Sequence, residues 1–147
     1  MTVNLRELTP AVVTERLGRA RVARLGYVDT EGPVVVPVNI AVDGVQRIVF
    51  RTAGDGPLAR LDRQQVAIEV DGIDAGRRTG WSILVRGIAR DVTDATDVSA
   101  ATARAQPVDC WAPGDRDRTF VVIPLSVTSR TIPVGPDGDW FAGIPLS

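Results

Sequence analysis

The chain has 147 residues, 44% hydrophobic and 24% charged, with a net charge of −1 at pH 7, one Cys and no His. This length suits a single domain, 1–147, with its own core; no apolar run approaches the roughly 20 residues of a membrane span, and the balanced charge excludes a nucleic-acid or membrane-surface partner. All 17 basic residues are Arg, so His bases, His metal ligands, Schiff-base lysines, a disulfide and a cysteine zinc cluster are all excluded.

The opening MTVNLRELTP has no apolar h-region, so no signal peptide is read and cytoplasmic residence is expected. Thr9-Pro10 starts a short helix, with Thr as N-cap and Pro in the first turn, running to about Leu17. Arg21 to Val28 reads as a strand closed by a turn at Asp29–Gly32. Pro33 to Val42 is a β-branched strand, and Asp43-Gly44 is a hairpin signal leading to a partner strand from Arg47 to Thr52. Leu58 and Leu61 mark a short amphipathic helix. Gln65 to Val70 alternates, with Val66, Ile68 and Val70 on one face, and Asp71 to Thr79 reads as a charged loop. Gly80 to Val92 is a long strand in which Gly87 signals a bulge or bend. A helix is expected over Asp94–Ala105, then a loop holding Cys110-Trp111. Thr119–Pro124 and Val127–Ile132 supply the last strand or strands, before a tail carrying Trp140-Phe141.

Pro33 to Leu61 carries the clearest chemistry. A strand ending in Arg51-Thr52, then Gly54, Gly56 and a helix, places a guanidinium, a hydroxyl and free backbone N–H groups together, a set that can hold a phosphate. The same residues also read as a strand end, a turn and a capped helix, with glycines for backbone freedom alone. Asn39 sits among Val and Pro on a strand expected to be buried, so its amide needs a loop or a ligand as partner. Glu69 and Arg86 are expected to form a cross-strand ion pair. The alternating charges of Asp115–Arg118 read as a solvated turn. Without His or Lys, chemistry falls to a cofactor, to carboxylates or to binding alone. A flavin fits, because its ring carries the reaction.

VPVNIAVDG, IVFRT, VAIEVDGID, RTGWSILVRG and WAPGDRD follow one another from Val36 to Asp117. In that order they resemble the actinobacterial pyridoxamine 5′-phosphate oxidase-like proteins of the FMN-binding split-barrel superfamily. The resemblance spans roughly Arg19 to Ile132, and RTGWSILVRG is its most specific part. It implies a mainly β chain with small helices, a six-stranded antiparallel split β-barrel, and a homodimer with flavin sites at the subunit interface. Carried over by position, Pro37, Val38 and Asn39 would run along the isoalloxazine ring. Arg51 and Thr52, with Gly56 in the following turn, would approach the phosphate. Trp81 and Ser82 would sit near the ribityl-phosphate end, although Trp81 also suits a barrel wall. Trp111 would border the ring or serve a dimer contact. The cofactor implied is FMN, or alternatively the deazaflavin F420, and the substrate a small organic molecule. No side chain is given a catalytic role and no metal is expected.

The chain departs from that pattern at one informative place. Relatives commonly read R-T-x-x-G-S-K-L, whose Ser and Lys contact the phosphate; here Gly56 and Pro57 stand at those positions, beside Asp55. Arg118-Thr119 stand where relatives often carry His-Trp. Losing one cationic contact costs about 1.5–3 kcal/mol, and Arg51, Arg77, Arg78 and Arg86 are the cations left to offset it. The leading expectation is an FMN-dependent oxidoreductase moving hydride between flavin and a small organic molecule. The alternatives are an F420-dependent reductase, or a non-catalytic split-barrel dimer with weak or lost flavin binding. Oxidation of pyridoxamine 5′-phosphate itself is not expected, because cations for a second phosphate are lacking.

Overall fold

The computed structural model describes residues 7–132; the opening MTVNLR and the Trp140-Phe141 tail lie outside the described residues. Helix α1 (Pro10–Arg19) begins as its sequence dictates. The Thr9 hydroxyl accepts from the Val12 N–H at 3.3 Å, and Pro10 occupies the first turn, where an N–H has no intrahelical partner. Leu17 on its inner face is buried in the core, with Val13 packed beside it. Strands β1 (Val22–Asp29) and β2 (Gly32–Asn39) then form an antiparallel hairpin, with Val22 opposite Asn39 and Asp29 opposite Gly32.

The strand expected over Pro33–Val42 is broken. Ile40 is buried, its N–H donates to the Arg21 carbonyl at 3.1 Å, and beyond it the chain changes partner. Strand β3 (Ala41–Val42) pairs with β4 (Ile48–Thr52) instead of β1. This break makes the sheet seven-stranded rather than six-stranded, in the order β2-β1-β5-β6-β7-β4-β3 with β5 (Gln65–Asp74), β6 (Thr79–Asp91) and β7 (Arg118–Ile132). The two outermost strands, β2 and β3, are separated in sequence by Ile40 alone. A twisted antiparallel sheet whose opposite edges are joined by one residue must curl back on itself, and the result is the half-barrel of a split-barrel fold.

The loop expected from Asp71 to Thr79 is mostly strand, since β5 and β6 stay paired out to Asp74 opposite Thr79. The helix expected after the Gly-rich loop is only a 3-10 turn, Pro57–Arg60, and α2 is confined to Val98–Arg104 with Asp97 as N-cap. Gly87 does mark a bulge: the β6–β7 register shifts between Arg86 and Gly87. Two apolar clusters follow from strand alternation. Leu25, Ile48, Phe50, Ile68, Ile83, Val85, Phe120 and Val122 fill the barrel, where the Phe50 and Phe120 rings stack at 5.3 Å. On the opposite face of β4 and β7, Val49 and Val121 pack under Ala100 and Ala103 of α2.

Candidate functional site

Where β2 ends and β4 ends, the curled sheet leaves a cavity of about 100 Å³. Pro37, Val38 and Asn39 form one wall, and Arg51 and Thr52 another. Leu58 of the 3-10 turn closes one side, while Cys110, Ala112 and Arg116 come from the loop between α2 and β7. Five of the sequence-selected residues thus meet at one place, although β2 and β4 pair with different neighbours.

Arg51 is held from one end. Its Nη2 donates to the carbonyls of Arg104, at 2.7 Å, and Gln106, at 3.1 Å, around the C-terminus of α2, where a cation is favoured by the helix dipole. Its Nε is buried and has no hydrogen-bond partner among the described residues. Such a donor costs about 1–3 kcal/mol when unmet, so an anionic acceptor at this cavity would be stabilised. Thr52 beside it is buried.

The turn after β4 is less open than its glycines suggest. The Gly54 N–H donates to Asp117 Oδ1 at 2.7 Å, and the Gly56 N–H to the Ala53 carbonyl at 3.0 Å. Neither of these two N–H groups is free. Gly56 lies next to the cavity, near the Thr52 hydroxyl, but does not line it. The Asn39 amide is met by protein on both sides: Nδ2 donates to the Arg21 carbonyl at 3.2 Å, and Oδ1 accepts from the Trp111 N–H at 2.9 Å. That second bond fixes the loop carrying Cys110 and Ala112. Trp111 is 65% exposed, with its Nε1 donating to Asp109 Oδ2 at 3.2 Å, and it does not line the cavity.

Trp81 and Ser82 lie elsewhere within the single chain. Trp81, near the start of β6, faces Gly72 so closely that a Cβ there would meet the indole Nε1 at 2.5 Å. The Arg16 guanidinium covers the ring at 4.5 Å, clamping α1 to the sheet. Ser82 stands opposite Asp71 and Arg130. Of the four cations expected to compensate for the missing lysine, Arg51 lines the cavity and the other three lie elsewhere. Arg77 pairs with Asp74 in the β5–β6 turn, Arg78 belongs to the same turn, and Arg86 lies on the outer sheet face beside Gly26, Ala67 and Leu125. Arg116, which the sequence places in a solvated charge run, lines the cavity together with Arg51. The Glu69–Arg86 ion pair is replaced as well. Arg86 stands opposite Ala67, whereas β1 brings Arg24 opposite Glu69, with Arg24 Nη1 at 3.8 Å from Glu69 Oε2 and 2.7 Å from Asp71 Oδ2.

The sequence pattern of the pyridoxamine 5′-phosphate oxidase family matches residues 9–132, nearly the whole of the described chain. The chain belongs to that family. An uncharacterized protein of Mycobacterium tuberculosis is 33% identical over 107 residues, which is 68% of this chain and 67% of that one. An FAD-binding protein of Mycobacterium smegmatis has the same fold, with TM-score 0.71 and 25% identity over 86% of this chain and 98% of its own. A conserved Corynebacterium diphtheriae protein of unknown function aligns at TM-score 0.68 and 27% identity, covering 87% and 98% of the two chains. No helix among the described residues is long and apolar enough to cross a membrane.

Proposed function

We propose that this chain is a dimeric, flavin-dependent oxidoreductase that anchors the phosphate of FMN in the cavity between Arg51 and Thr52. The observation that carries this reading is the buried, unpartnered Nε of Arg51, a residue that lines the cavity. It asks for an acceptor, and a phosphate oxygen is the acceptor a guanidinium suits best. Bound flavin supplies hydride transfer to or from a small organic substrate. The chain's own residues bind and orient: the α2 carbonyls fix the Arg51 fork, the β2 edge at Pro37 and Val38 offers a flat wall, and Leu58 keeps water from the anion. FAD, bound by the M. smegmatis relative, and F420 are the other cofactors of this chemistry to be compared.

A cavity of about 100 Å³ is well below the roughly 300–1,000 Å³ of small-molecule pockets. One chain therefore offers a seat for a phosphate and not for a ring system. The rest of the flavin would lie against a second copy, which gives the homodimer its role. The engaged N–H groups of Gly54 and Gly56 favour a second reading, a split-barrel dimer whose flavin affinity is weak and which performs no turnover.

Thermal unfolding with FMN, FAD or F420 in excess tests the first reading. Ligand at about 100 times its Kd should raise Tm by about 5–10 °C, and Arg51→Gln should remove most of that rise. If none of the three shifts Tm, the chain is not a flavoprotein. If flavin binds but is neither reduced nor reoxidised by any donor or acceptor tried, the second reading stands.

A further inference from the structure

Arg116 lines the same cavity as Arg51 and comes from the loop between α2 and β7. Its guanidinium has no hydrogen bond or ion pair with any described residue. Two nearby charges are engaged: Arg118 Nη1 lies 3.2 Å from Asp94 and 3.6 Å from Asp91, and Asp117 accepts from the Gly54 N–H. That last bond ties the loop to the turn after β4, one residue from Arg116. Asn39 ties the loop again through the Trp111 N–H. This cation therefore sits on backbone fastened at two places, in a cavity also lined by Arg51, whose buried Nε is unmet. Two guanidinia around one small space repel each other unless an anion lies between them, and their planar forks match phosphate oxygens.

We propose that Arg116 supplies the second cation of this anion site, taking over from the loop between α2 and β7 the task of the lysine missing from residues 53–57, and that the group held is a terminal phosphate. The flavin identity of the ligand rests on the function proposed above; the anion site does not. The test is calorimetric titration of wild type, Arg116→Gln and Arg116→Lys with FMN, riboflavin and pyrophosphate. Arg116→Gln should weaken FMN and pyrophosphate by about tenfold to a hundredfold. Riboflavin, which lacks the phosphate, should bind as before, Arg116→Lys should recover part of the loss, and the unliganded Tm should not move. Unchanged FMN and pyrophosphate affinities in Arg116→Gln overturn the proposal, as does an equal loss for riboflavin, which would mark a packing role. A wild type that binds neither FMN nor pyrophosphate overturns it too. Arg116-dependent pyrophosphate binding without any flavin binding supports the anion site and sinks the flavin reading alone.

Discussion

Glu69 carries an oxygen, Oε1, that is buried with no hydrogen-bond partner among the described residues. Burial first, then the hydrogen bond and charge of Asp71, push its carboxyl from the ordinary 4.5 up to about 7, against the opposing pull of Arg24. Because the folded chain holds the carboxyl proton more tightly than the unfolded chain, the contribution is fully present below about pH 4.5 and is lost as the pH rises through 7. Urea midpoints should therefore fall between about pH 5 and pH 8, and Glu69→Gln should flatten that slope; an unchanged slope in the variant would assign it to other groups. The same residue shows what a sequence conceals. Arg51 and Thr52 can be picked out because they close a strand beside a glycine-rich turn. Partners across a sheet depend on which strand inserts where: β1 lies against β5, so Glu69 meets Arg24 and not Arg86. Arg116 is hidden for a related reason, since alternating charges in a loop resemble a wet turn until the fold brings that loop against β2 and β4.

Strand alternation is legible wherever one face is buried: Val66, Ile68 and Val70 point inward as their spacing requires. Boundaries are harder, because Ile40 has the β-branched character of its neighbours and nothing local announces the change of partner there. Two leucines suggest a fuller helix at Pro57–Arg60, but four residues sustain only a 3-10 turn. Gly87 is readable because a glycine weakens the interior of a long apolar strand unless a bulge or a close backbone approach requires it. A Cβ there would run into the Ile123 carbonyl and come within 2.8 Å of Val122 Cγ1. Gly87→Ala should thus cost about 1–3 kcal/mol or more of unfolding free energy, measured by urea titration. An alanine variant as stable as wild type would mean that the β6–β7 bulge relaxes at no cost.

The outer face of the sheet leaves Val35 and Leu125 each 67% exposed, around a floor of small residues at Gly26 and Ala67. The dimer proposed above would bury such a surface. Leu125→Arg should then give a monomer in light scattering, with flavin affinity falling alongside it; a variant that remains dimeric would place the contact on another face. The register of the whole molecule also sets an order of events in synthesis. Buried β4 finds only a two-residue partner in β3, and its long ladder is with β7, from Ile48 opposite Val122 to Thr52 opposite Arg118. At about 5–20 residues per second, the ribosome needs several seconds after finishing β4 to make the strand that covers it. The cavity residue Arg51 is born early on an unsheltered apolar segment, and neither its α2 carbonyls nor Arg116 exists until the last third of the chain has emerged.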